Sequence, residues 1–133
     1  MDEIAIRVET EVNFTEDEVK VEKAVVNIFD KMSAEIKPDF KCGVLVAEAK
    51  GREALAEFRR LLSLDRIRDA ARKVFFAGLE GGAIRFCLNK QVAFAGHVSF
   101  CEEFAESPLG PLRVTIQCEE PLLLINWLTG RKG

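Results

Sequence analysis

Residues 79–116 read LEGGAIRFCLNKQVAFAGHVSFCEEFAESPLGPLRVTI, and this stretch decides the fold class. Apolar residues recur at every second position on both sides of Asn89–Lys90–Gln91. A loop stiffened by Pro108, Gly110 and Pro111 then leads into a last alternating run. The pattern predicts three strands in succession. A two-residue loop would pair Leu88 with Gln91 and turn Phe94 to water. A three-residue loop pairs Leu88 with Val92 and Phe86 with Phe94. It gathers Ile84, Phe86, Leu88, Val92, Phe94, Val98 and Phe100 on one face. A slip of one residue moves every side chain across the sheet, so burial favours the second register. The opposite face then carries Ala83, Arg85, Cys87, Ala93, Ala95, His97 and Ser99, and is flat.

Upstream, Ile4, Ile6, Val8, Thr10 and Val12 alternate with polar or small residues, as a half-buried strand does. Thr15 and Glu18 have capping-box spacing, with Phe14 and Val19 at the staple positions. The helix they open buries Val21, Val25, Ile28, Phe29 and Met32 and ends before Pro38. Val44 to Ala47 is apolar on both faces and reads as a central strand. Residues 52–62 form a helix with Ala54, Leu55, Phe58, Leu61 and Leu62 inward. Ser63 can cap another, lined by Ile67, Ala70, Ala71, Val74 and Phe75. Downstream, Leu112, Val114, Ile116 and Cys118 alternate as a strand. Pro121 suits the first position of a helix running to Leu128. The order β-α-β-α-α-β-β-β-α implies one α+β domain over residues 1–133: a mixed sheet with its helices mainly on one face.

The chain has 133 residues, 48% hydrophobic and 31% charged, with a net charge of −3. This is a globular composition. Its longest apolar runs are four residues, as at Leu122–Ile125, far short of the ~20 residues a bilayer span needs. The acidic start is unlike a signal peptide, so the expected location is cytoplasmic. Six Asn and Gln in all, no Tyr, and many Glu, Lys and Arg point to a heat-adapted source.

Catalytic and metal-binding classes find little support. Cys42, Cys87, Cys101 and Cys118 make no CxxC pair, and His97 is the single histidine, so no zinc site and no cofactor is expected. Gly78, Gly81 and Gly82 lie between a helix and a strand, the reverse of a dinucleotide loop. Glu102, Glu103 and Glu106 share one loop with no opposing acid. His97 reads as a half-exposed structural residue, too far along the hairpin from Cys87 to form a catalytic pair. No acid, base and nucleophile converge, and an enzyme is not expected.

Charge is distributed unevenly. Residues 1–35 hold ten acids and four bases, whereas residues 50–73 hold eight bases and four acids. Phosphate affinity depends on a local patch rather than on net charge. Arg52, Arg59, Arg60, Arg66, Arg68, Arg72 and Lys73 fall largely on outward helical positions and are one candidate surface. Glu57–Arg60, Asp65–Arg68 and Asp69–Lys73 can also pair locally. The other candidate is the sheet's polar face, with Arg7, Arg85, His97, Arg113, Thr115 and Gln117. It lacks exposed aromatics for base stacking. Lys90, in the reversal, is a further basic candidate.

Three segments, VETEVNFTEDEVKVEKAVVNIF (8–29), LEGGAIRFCLNKQVAFAGHVSFCEE (79–103) and ESPLGPLRVTI (106–116), carry a resemblance. The chain resembles a family of small uncharacterised archaeal proteins labelled RNA-binding. That family looks like the fold of the large-subunit ribosomal protein that binds 5S rRNA. The resemblance implies contact with structured RNA or an RNA-processing complex and assigns no catalytic residue. It marks Asn89, Lys90, Gln91, Ser107, Pro108, Gly110 and Pro111 as motif positions without a role. The leading expectation is a non-catalytic RNA-binding module. The alternative is a protein-interaction or homodimerisation module using the flat sheet face.

Overall fold

The computed structural model describes residues 3–13, 15–38, 43–102 and 110–130. Strand β1 (Ala5–Val12) alternates as its sequence requires. Ile6, Val8 and Val12 are buried, while Arg7, Glu9 and Glu11 face away. Thr10 is buried too, and its hydroxyl is satisfied by donating to the Pro111 carbonyl at 3.0 Å.

Helix α1 (Glu18–Ile28) begins at Asp17 rather than Thr15. The Asp17 carboxylate accepts the Val19 N–H at 2.9 Å, and Glu16 accepts the Asn13 N–H at 3.0 Å. Acidic side chains thus replace the expected Thr15–Glu18 box, a carboxylate being the stronger acceptor. Val19 is exposed, and its expected staple mate Phe14 lies outside the described residues. The helix stops ten residues before Pro38, with Lys31 at φ 57°. Met32 packs beyond its end, and the chain enters a strand that the sequence pattern did not announce, β2 (Ser33–Pro38). Strand β3 (Gly43–Lys50) lies between β2 and β1.

The helix expected over 52–62 is a 3₁₀ turn (Arg52–Leu55) followed by α2 (Ala56–Leu64). Ser63 lies inside α2 instead of capping a new helix. The turn comes at Arg66, φ 57°, before α3 (Arg68–Ala77). Strands β4 (Leu79–Glu80) and β5 (Ala83–Asn89) form a hairpin. Gly78 at its entry has no substitute, since a Cβ there would sit 1.8 Å from the Arg85 carbonyl oxygen.

The hairpin expected after Asn89 is replaced by a short helix, α4 (Lys90–Phe94). Asn89 Oδ1 accepts the Val92 N–H at 3.0 Å. Gly96, at φ 87°, donates to Ala93 at 2.9 Å and His97 donates to Val92 at 3.1 Å, and this pair of hydrogen bonds around a left-handed glycine closes the helix. Val92 and Phe94 therefore leave the sheet. Phe94 is 40% exposed and does not face Phe86. The flat face expected from Ala93, Ala95 and His97 does not form. Ala93 is buried, and the Asn27 amide of α1 donates to the Ala93 and Phe94 carbonyls at 3.2 and 3.0 Å. Among the described residues after α4, only β6 (Phe100–Cys101) returns to the outer edge of β5, with Leu88 opposite Phe100 and Cys87 opposite Cys101.

Strand β7 (Pro111–Gln117) and helix α5 (Pro121–Leu128), with its proline in the first turn, end the described chain as expected. The sheet runs β2-β3-β1-β7-β5-β4, and β6 shares the outer edge of β5 with β4. Every described pairing is antiparallel, which corrects the expected mixed sheet. The fold is α+β, with one continuous core between the sheet and its helices. Ile6, Val8, Leu45, Ile84, Leu88 and Val114 of the sheet meet Val25, Phe58, Leu62 and Phe75 of the helices. Phe58 lies 5.2 Å from Phe29, 6.0 Å from Phe75 and 5.6 Å from Phe86, ring centre to ring centre. Such ring clusters add to simple area burial.

Candidate nucleic-acid interface

The two candidate surfaces differ in what their arginines are doing. On the open face of the sheet each one has a carboxylate beside it. Arg7 Nε donates to Glu9 at 2.7 Å, and Arg7 Nη1 lies 3.6 Å from Glu48, its register partner on β3. Arg85 reaches Glu80 at 3.3 Å, and Arg113 lies 3.7 Å from Glu11. The face that carries Arg85 and Arg113 is therefore close to neutral.

The helical surface is organised around Trp127 of α5. Arg59 Nε donates to the Trp127 carbonyl at 2.9 Å, and its guanidinium lies over the indole at 5.0 Å. Arg52, in the 3₁₀ turn, lies over the same ring at 5.4 Å. An indole face attracts a guanidinium without neutralising it, so the positive charge stays available to another acceptor. Arg59, Arg60, Ser63, Arg68, Leu128 and Gly130 surround a depression of about 390 Å³ between α2 and the end of α5.

The remaining basic candidates divide. Arg60 donates Nε to both oxygens of Glu57 at 3.0 Å, which raises the arginine's pKa and holds the Glu57 carboxyl below its ordinary value. Arg72 is half-buried. It donates to Asn126 at 2.7 Å and lies over Phe76 at 5.0 Å, tying α3 to α5. Arg66 and Lys73 are exposed. Arg52, Arg59, Arg66, Arg68 and Lys73 have no carboxylate partner among the described residues.

Lys90 stands apart from both surfaces. It is 5% exposed, and its ammonium donates to the Glu11 carbonyl at 2.7 Å and to Glu16 at 3.1 Å. It joins β1, α1 and α4 from inside and cannot present its charge to a ligand. His97 lies in the turn after α4, where Nδ1 is 3.1 Å from Asp65 and the next backbone N–H, of Val98, binds the other Asp65 oxygen. Among the described residues no three His, Cys, Asp or Glu side chains gather as metal ligands. Cys42, Glu103, Glu106, Ser107 and Pro108 lie outside the described residues.

Sequence reasoning missed Trp127 as the hub of the basic surface. The only signal was that this lone tryptophan sits in a helix apolar but for Asn126. It also missed the Cys87–Cys101 register, which needed β6 to be placed.

A family model described as RNA binding matches residues 5–118. The chain belongs to this family. A UPF0201 protein of Sulfurisphaera tokodaii is 44% identical over 124 residues, which cover 93% of this chain and 86% of that protein. A UPF0201 protein of Sulfolobus acidocaldarius is 41% identical, covering 92% and 84%. Both sources are thermophilic archaea, in line with the amide-poor composition. The crystal structure of the UPF0201 protein from Methanococcus jannaschii superposes with a TM-score of 0.84 at 29% identity, covering 94% of this chain and 98% of that one. Among the described residues no helix is long and apolar enough to cross a membrane.

Proposed function

We propose that this family member is a non-catalytic module that binds structured RNA by its phosphate backbone, through the surface formed by α2, α3 and the end of α5. The observation that carries the choice of surface is the difference in pairing. Arg59, Arg66 and Arg68 keep their charge uncompensated, whereas Arg7, Arg85 and Arg113 each lean on a carboxylate. The depression beside Arg59 and Arg68, with the Ser63 hydroxyl at its wall, offers several donors to one phosphate. The RNA-binding description of the family supports the ligand class.

The test is RNA affinity as a function of salt. Each neutralised phosphate releases condensed counterions, so log K falls with log salt by about 0.7–0.9 per contact. Arg59→Gln, Arg66→Gln and Arg68→Gln combined should lower affinity for all sequences alike and reduce that slope by about 2. Arg85→Gln with Arg113→Gln should leave both unchanged. Absence of salt-dependent binding to structured RNA at micromolar protein overturns the function. A larger effect from the Arg85 and Arg113 pair overturns the surface.

A further inference from the structure

Strand β2 forms one edge of the sheet, and its only described neighbour is β3. The hydrogen-bond parity of the sheet fixes what that edge presents. Gly51 donates to Ile4, so the odd residues of β3 bond to β1 and its even residues bond to β2. Val46 then exchanges bonds with Glu35, and Val44 with Lys37. The N–H and C=O groups of Ala34 and Ile36 point outward, with the carbonyl of Pro38.

We propose that β2 pairs antiparallel with β2 of a second copy about a two-fold axis at Ile36, joining two sheets into one. Pairing through the outward groups allows only registers in which even residues oppose even residues. Centred on Glu35, the strands would set Glu35 against its own copy. Centred on Lys37, they would set Lys37 against its copy. Centred on Ile36, they set Glu35 against Lys37 twice, at the closely spaced non-hydrogen-bonded sites where cross-strand side chains meet. Ile36 then exchanges two backbone bonds with its copy, and each Ala34 N–H donates to a Pro38 carbonyl. The missing proline N–H removes only a donor at the ends of the ladder.

Two further observations favour a second copy as the occupant. Glu35 and Lys37 are exposed and have no ion-pair partner among the described residues, whereas Arg7, Glu48, Arg113 and Glu11 elsewhere on the same face are paired. Ala34 and Ile36 are only partly buried against the core, so apolar area remains for a partner to cover. Edge strands ordinarily repel their own kind with charge. A Glu-Ile-Lys triplet instead attracts its own antiparallel copy.

The experiment is sedimentation of the full chain over a micromolar to submillimolar range. The wild-type protein should dimerise. Glu35→Lys and Lys37→Glu should each weaken dimerisation at least about tenfold, since each places like charges opposite one another. Mixing these two single variants should give a one-to-one heterodimer, because one strand is then basic at both positions and the strand facing it is acidic at both. The double variant, with the charges exchanged, should dimerise as the wild type does. Both side chains are exposed, so folding is preserved, as circular dichroism will check. A wild-type monomer throughout the range overturns the proposal. So does a dimer indifferent to these charges, and so does a β2 edge that pairs only with a strand of another protein.

Discussion

Lys90 carries a positive charge into the interior, and the structure accommodates it with a carbonyl and a carboxylate from two other elements. Truncating one partner of such a pair costs more than the pair contributes, because the other is left desolvated and alone. Lys90→Met keeps most of the volume but takes the cation from Glu16, whose side chain is 11% exposed and retains its hydrogen bonds from Asn13. Its expected cost is about 2 kcal/mol in chemical denaturation, with the RNA affinity proposed above unchanged per folded molecule. A loss of affinity without a loss of stability would return Lys90 to the proposed RNA surface. The charges of Arg59, Arg66 and Arg68 were legible from helical spacing alone. Their freedom from acidic partners was not, because Asp65, four residues before Asp69 and three before Arg68, is committed to His97 and Val98 instead. Local sequence spacing lists the pairs a helix allows, and tertiary contacts choose among them.

At the scale of elements, the segment 89–97 shows how two readings compete. Val92 and Phe94 continue the alternation of β5, so a period of two fits the residues. The same stretch also begins with an N-capping asparagine and ends with a glycine seven positions on, which are the two ends of a short helix. The helix wins because it places Ala93 and the Lys90 ammonium inward against α1 and β1. Phe94→Asp discriminates between the two readings. In a hairpin it would bury a charge. On α4, where the ring lies under the Lys23 ammonium at 5.7 Å, it should cost no more than about 1 kcal/mol in thermal or chemical unfolding. Loss of cooperative folding would reinstate the strand. Strand β2 was illegible for a related reason. Its apolar positions are only Ala34 and Ile36, since an edge strand buries one face incompletely and its alternation is weak. The strands β1 and β7 and the helix α5 emerged as expected because each buries one face completely or is opened by a proline.

Across the whole molecule, acid stability reports on the surface network. The Glu57 carboxyl is held below its ordinary value, first by the hydrogen bond from Arg60. A carboxyl with a depressed folded pKa contributes stability above its unfolded value. That contribution is lost as pH falls through the folded one. Glu57→Gln should therefore lower the melting temperature slightly near neutral pH and make no difference in strong acid. The effect is small, because a pair this exposed is screened by solvent. A penalty that persists in acid would assign the loss to packing instead of charge. The two ends of the sheet differ in a way that bears on aggregation. The outward groups of β5 are taken up by its short neighbours: Arg85 donates to Gly78 at 3.0 Å and Asn89 to Ser99 at 2.8 Å. Among the described residues only β4 and β6 stand beyond β5, two residues each, too short to template another strand. Among the described residues a long backbone ladder is open at one end of the sheet and closed at the other. Strand addition has nowhere to continue once β2 is occupied, and a fibril, which must add strands indefinitely, has no second end from which to grow.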